Sequence, residues 1–529
     1  MARISLWRGR RLVGVALAAI VGVGAVAACG SPATAPSGGR PVLKVAAVFL
    51  PSSLDPAKGI DAVFSFVETL TQVNSQGQAV PFLLANAPEQ RDETHWVLSL
   101  RSGVSFQNGH PVTAQAVAVA MNRTVAQSDA AKAELSGAVF TATGAEQVTV
   151  TTAKPESLLP YVLADRAFAV YDEPVLVAAG SGPNALANKG AFTAPYAITS
   201  FTERGMMLAA YDGYWQGKPA LGGIQVSYVP DTQARLAAVE SGQVDIADGA
   251  NTPDIVTALK DRGDVKLKLS EVPLLNVKLY FNPASAPLDD TSVRRALALA
   301  LDYKSLATQF TGGVGEAATS LLPSSYPLAT PTQVTNVAQA KQLLDAAGWI
   351  AGSDGTRAKN GQQLALNLLS YNERPVFKPL SIGIQSMLKQ IGVTVTIATQ
   401  PFDYKMYDDP NSWNLALYND YSISPTGAPD SYIGTYLSST GSGNHWHISD
   451  RTLDGLLSTL ANGTAPDGDG TDARRSDAAA VQRYVWDNAY VAAVAFVKDG
   501  SAVGKNWANY IPGSGYQQQE WTWQTAPSS

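Results

Sequence analysis

The sequence predicts a mixed α/β protein built as two lobes. A strand, helix, strand order occurs clearly twice, at residues 223–247 and 364–399, and units of this kind imply at least partly parallel sheets. The two units begin roughly 140 residues apart, which suggests one in each of two lobes. The length of 529 residues corresponds to about 3.5 compact units of roughly 150 residues each, so two or three domains are expected. With 46% apolar and 16% charged residues, the chain can bury a large core, which excludes global disorder.

Residues 1–54 contain no Asp or Glu, but carry Arg3, Arg8, Arg10 and Arg11 ahead of an apolar run at residues 12–28. That is the charge and hydropathy profile of an export signal. Val26-Ala27-Ala28-Cys29-Gly30 places small residues before the only cysteine in the chain and looks like the lipobox of bacterial lipoproteins. In that class Cys29 is acylated and becomes the mature N-terminus, and buried acyl chains at about 0.8 kcal/mol per methylene hold the protein on a membrane. SPATAPSGG (residues 31–39) then reads as a flexible tether.

A single cysteine excludes an intrachain disulfide, a cysteine zinc site and a cysteine-ligated cluster. Removing residues 1–28 leaves 34 basic against 44 acidic residues, a formal charge of −10. An acidic domain without a basic run is a poor nucleic-acid binder. No second apolar stretch reaches membrane-spanning length.

Further along, VLKVAAVF (residues 42–49) reads as a buried strand ended by Pro51. Thr113 caps a helical pattern to residue 126, flanked by the strands HWVLSLR and EQVTVTT. In the first strand–helix–strand unit, GIQVSYV precedes Asp231, an N-cap for a helix to residue 241, and Gly242 stops it before VDIA. In the second, LALNLLSY leads to a helix at residues 376–391, then Gly392 and VTVTIAT. Residues 462–472 are a loop by composition. A helix at residues 477–488 and a strand at residues 491–497 follow, the strand returning to the first lobe.

HExxH, GxSxG, GxxxxGK[ST] and a strand-linked GxGxxG are all missing, so neither an enzyme nor a bound cofactor is expected. His445-Trp446-His447 is the one constellation with metal-ligand character. If extended, it would point both imidazoles to one face, a geometry nickel accepts, although two ligands do not make a site. Trp413 and Trp446 suit either a core or a recognition pocket. Asp420-Tyr421 follows the alternating NLALY, so its carboxylate falls at the C-terminal end of a strand, where α/β lobes place ligands; a turn or helix cap is the plainer alternative.

From about residue 42 onward the chain resembles the extracytoplasmic solute-binding proteins of ABC importers, in the dipeptide-, oligopeptide- and nickel-binding group known as family 5. Leu54-Asp55-Pro56, Glu68-Thr69-Leu70 and WVLSLRSGVSFQNGHPVTAQAV (residues 96–117) carry the opening of the resemblance. YWQGKPAL, PDTQAR and SGQVDIADG within residues 212–249 are its most specific part, and residues 290–301 and 340–349 match the second-lobe helices. Ala116 and Asp302-Tyr303 depart from the usual pattern.

The resemblance implies a periplasmic-binding-protein-like two-lobe fold (type II, cluster C-like), with an extra subdomain inserted in the first lobe at about residues 65–185. It divides the chain into a signal (1–28), a tether (29–40), lobe I (41–275), lobe II (276–490) and a return to lobe I (491–529), with hinge crossings near residues 274–281 and 491–497. It implies capture of a short peptide between the lobes and delivery to an ABC permease and ATPase complex, from a lipid anchor on the outer face of the bacterial cell membrane. In peptide-binding relatives a carboxylate in this segment holds the ligand's α-amino group, and NDYSISPTGAPDSY (residues 419–432) places Asp420 there and Asp430 at its end. Nickel-chelate relatives use aromatics, Arg and His instead, which keeps His445 and His447 as alternative metal-site residues. Another small solute is a further alternative, and a secreted hydrolase the reading from a different class.

Overall fold

An 11-stranded sheet runs through both halves of the molecule. The computed structural model describes residues 39–58, 65–74, 78–180, 182, 184–372, 374, 376–421, 429–462, 472–513 and 521–528. Cys29, the export signal and most of the tether and of the residue 462–472 loop lie outside these residues. No described helix is long and apolar enough to cross a membrane.

In lobe I, β1 (Val42–Ala47) opens the sheet. An inserted four-stranded sheet follows, formed by β2 (Glu89–Gln90), β3 (His95–Ser99), β4 (Val139–Ala142) and β5 (Gln147–Thr151), with α1 (Ala114–Gln127) packed on it. Thr113 caps α1 by accepting from Ala116 N–H. The chain then returns through β6 (Tyr196–Thr202), β7 (Gly205–Ala210), β8 (Gly223–Tyr228), α2 (Thr232–Glu240) and β9 (Ile246–Ala247). β1 pairs in parallel with both β8 and β9, as the crossover through α2 requires.

A 17-residue strand, β10 (Val265–Phe281), leaves lobe I and enters lobe II. There α3 (Thr291–Leu299), the short β11 (Gly315–Ala317), β12 (Ala365–Tyr371), α4 (Phe377–Lys389), β13 (Thr394–Gln400), β14 (Leu415–Tyr421), α5 (Pro429–Leu437) and α6 (Asp472–Asn488) build the second half. β12 is parallel to β13 and β14, and Gly392 turns the chain between α4 and β13 at φ +82°. The 14-residue β15 (Val491–Gly504) then runs back antiparallel to β10. The sheet order is β13-β12-β14-β10-β15-β9-β1-β8-β7-β6, with β11 beside β15.

Among the described residues, only the strands β10 and β15 serve both lobes. Val265–Leu269 pair with Ser501–Gly504 and Gly500, then the register shifts around Pro273 and Leu275 before lobe II pairing resumes. Val491, Ala492, Val494, Ala495 and Val497 pack in the lobe II core, whereas Val503, Trp507 and Trp521 pack in the lobe I core. The return to lobe I therefore falls later than the predicted residue 491, because the strand is needed to cover β10 before it crosses. Val73, Leu158 and Tyr161 of the inserted region also meet Tyr326 of lobe II.

A local device recurs in both lobes. In Asp231-Thr232-Gln233-Ala234-Arg235 the aspartate caps α2, and the buried Arg235 donates to the carbonyls of Val229 (2.7 Å), Pro230 (2.8 Å) and Asp248 (2.8 Å). In Asp290-Thr291-Ser292-Val293-Arg294 the aspartate caps α3, and buried Arg294 donates to the carbonyls of Leu288 (2.6 Å) and Asn488 (3.0 Å). Each arginine thus ties a helix start to a segment beside a hinge strand.

Candidate functional site

Ligands of α/β lobes bind beyond the carboxyl ends of parallel strands. In lobe I those ends are Ala47, Tyr228 and Ala247, and the exposed aromatics Phe49 (50%) and Tyr228 (43%) stand there. In lobe II they are Tyr371, Gln400 and Tyr421, followed by Arg374 and by Tyr404, which is 41% exposed.

Arg374 is held in place at this edge. Its Nε donates to Asn419 Oδ1 at 2.7 Å, and Tyr371 donates its hydroxyl to the same oxygen at 2.7 Å. The terminal guanidinium nitrogens have the planar fork geometry that suits a carboxylate or another planar anion. Across the hinge, Asp248 follows β9, and Asp499 lies on β15 at the crossing point. Burial raises the Asp499 carboxyl to about 7, repulsion from Asp248 adds to the rise, and the Gly500 N–H and the Arg374 charge oppose it. Asp248 is raised as well, by burial first, against the Gly249 N–H and the Arg235 charge.

A carboxyl raised on folding makes the folded state hold its proton longer than the unfolded chain does, so its contribution to stability is lost as pH rises from about 4 to 7. Asp499→Asn should therefore gain thermal stability relative to the wild type across that window. Parallel melting curves at pH 4, 5.5 and 7.5 check this; a difference that does not change with pH contradicts it.

The sequence-predicted residues gather in lobe II, but not as an open site. Asp420 does not stand open to the cleft: its side chain is 1% exposed, and its Oδ2 lies 2.6 Å from Lys278 Nζ, itself 3% exposed. Burial raises the carboxyl and lowers the lysine, each opposed by the other's charge. The expected α-amino anchor is thus already neutralised from within, because β10 pairs with β14 in a register that sets Asn276 opposite Asp420 and Lys278 opposite Tyr418.

Trp413 and Trp446 are core residues, both 0% exposed. Trp413 donates Nε1–H to the Tyr407 carbonyl at 3.2 Å, and Trp446 stacks on Tyr280 with centroids 3.7 Å apart. The histidines are not extended as supposed. His447 sits at φ +60° with Nε2 2.8 Å from the Tyr407 carbonyl, which fixes its proton there, while His445 stacks on Tyr404 at 4.6 Å. Burial lowers the His445 pKa, keeping it neutral at physiological pH. Among the described residues no three His, Cys, Asp or Glu side chains form a metal-binding group. Tyr421 ends β14 and Asp430 lies in α5, but their side chains lie outside the described residues.

Arg374, Asp248, Asp499 and Lys278 escaped the sequence reading. Arg374 follows LALNLLSY as directly as Asp420 follows NLALY, so the strand-end rule that singled out Asp420 applies equally to it. Lys278 is a lone charge in the run LLNVKLYF, a signal in itself for a strand buried on both faces.

Asp248 of lobe I and Arg374 of lobe II thus both act on the Asp499 carboxyl at the shared hinge. The chain is 25% identical over 397 residues to the nickel-binding protein NikA of Staphylococcus aureus, covering 74% of this chain and 76% of that protein. It is 25% identical over 505 residues to the periplasmic murein peptide-binding protein MppA of Escherichia coli, covering 87% of this chain and 88% of that one. Its fold matches the crystal structure of Staphylococcus aureus NikA in complex with Ni(L-His)2 with a TM-score of 0.71 at 22% identity, over 92% of this chain and 100% of that one. The two-lobe expectation is met, and the periplasmic relatives imply that the chain is exported. Residues 78–444 match the model of the middle region of the bacterial extracellular solute-binding proteins, family 5, and the chain belongs to that family, whose members serve ABC permease and ATPase components as transport binding proteins.

Proposed function

We propose that this protein captures short peptides in the interlobe cleft, from a lipid anchor at Cys29 on the outer face of the cell membrane, and hands them to a permease. The observation that carries the peptide reading is the Arg374 fork, oriented by Asn419 at the carboxyl ends of the lobe II strands. A peptide's C-terminal carboxylate matches that fork in charge and planarity, and the aromatic edges of Tyr404 and His445 offer stacking surface beside it. The ligand favours the closed state by touching both lobes at once, which is how occupancy becomes a change of shape.

A nickel chelate is the second reading, favoured by the nickel-binding relatives: a carboxylate-bearing chelator would use the same arginine, with His445 alone facing the metal. Native mass spectrometry of a soluble form beginning after Cys29, purified without denaturation and run with and without EDTA, separates the two. Peptide masses that persist in EDTA support the first; a nickel isotope pattern removed by EDTA replaces it with the second. Arg374→Met should weaken peptide binding about tenfold or more, as expected for losing charge-assisted hydrogen bonds worth roughly 1.5–3 kcal/mol. Unchanged affinity by calorimetry would remove the carboxylate assignment.

A further inference from the structure

Lys278 interrupts an apolar run of β10, and the pairing of β10 with β14 sets it on the same sheet face as Asp420. The 2.6 Å contact between Lys278 Nζ and Asp420 Oδ2 is sealed beneath Tyr280, Tyr418 and Trp446, which pack on that face. A buried carboxylate needs one counter-charge. Once a lysine supplies it, a second cation at the same carboxylate would face like-charge repulsion in a medium of low dielectric.

Asp420 sits at the strand end that faces the cleft, beside the Asn419 that orients Arg374. We propose that Lys278 is a resident cation occupying the ammonium position of Asp420, so that the cleft holds its solute through an anionic end at Arg374 and gains nothing from a free amine at Asp420. Lys278 is on this account a specificity-determining residue: it relieves the ligand of the requirement for an amino group there. The choice of ligand rests on the peptide reading above; the role of the lysine does not.

Two measurements decide it. The first compares L-alanyl-L-alanine with propionyl-L-alanine, which lacks only the amine, by calorimetry on the unaltered protein. Affinities within about threefold are expected, and a loss of tenfold or more on removing the amine overturns the inference. The second uses Lys278→Ala at pH 8.5. The melting temperature should fall by roughly 5–10 °C, as breaking a buried pair implies. n-Propylammonium, which replaces the deleted atoms and their charge, should restore it, while 1-propanol should not. Equal restoration by the alcohol, or no loss of stability, overturns the inference.

If neither dipeptide analogue binds, the peptide reading falls and the amine-rescue arm still decides the role of Lys278. Should Lys278→Ala fail to fold, the uncharged pair Lys278→Met with Asp420→Leu takes its place. That protein should retain the co-purifying solute of the wild type, and its loss would show that the carboxylate holds ligand.

Discussion

Trp446→Ala should destabilise lobe II by about 3–5 kcal/mol, the usual cost of deleting a fully buried large aromatic. Trp446 is the hub of the lobe II aromatic cluster: it lies parallel to Tyr280 at 3.7 Å, tilted to Tyr407 at 4.8 Å and to Tyr418 at 5.2 Å, and edge-on to Trp413 at 6.3 Å. Tyr280 belongs to β10 and Tyr418 to β14, so this one side chain fastens the loop carrying His445 and His447 to two central strands. Denaturant titration followed by tryptophan fluorescence and far-ultraviolet dichroism checks it. The lobe II transition should move to lower denaturant while lobe I stays put. Trp446→Phe should recover more than half of the loss, because it keeps the stack on Tyr280; a loss below about 1 kcal/mol for alanine would show that the loop collapses to fill the space.

Arg294→Met should cost a comparable amount, on the order of 3 kcal/mol, by a different mechanism. The methionine keeps much of the packing volume but leaves the Leu288 and Asn488 carbonyls, and the Thr291 hydroxyl, without the donors that satisfied them. Arg235→Met should do the same in lobe I, where the orphaned carbonyls are those of Val229, Pro230 and Asp248. Because the two clamps lie in different lobes and share no partner, the double variant should lose the sum of the single losses. Equilibrium unfolding of the three variants tests both the magnitude and the additivity, and a double variant well short of the sum would mean that the two clamps are energetically coupled.

The elements legible in the sequence are those whose signals are local. Asp231 and Thr113 cap their helices with their own side chains, and Gly392 supplies a left-handed turn that any reader of the chain can locate. The returning strand runs past the predicted residue 497 for an equally local reason: Gly500 in β15 looks like a strand end, and only pairing with β10 across a register break shows that the strand continues. The site failed where the deciding fact is a register. Whether Asp420 opens to the cleft or meets Lys278 depends on how β14 lies against β10, and the two residues are far apart in the chain. An extended backbone would put His445 and His447 on one face, but the left-handed backbone at His447 turns the two rings to different neighbours.

The two long strands that join the lobes act as a leaf spring. Regular pairing at Val265–Leu269 on one side and Lys278–Tyr280 on the other stiffens both ends of the ribbon, and the register breaks between Leu269 and Lys278 concentrate the bending. The lobes should consequently swing along one well-defined arc rather than wobble in many directions. A permease that docks across both lobes would then need to sense only one angle to know whether the cleft is loaded, whatever solute lies inside.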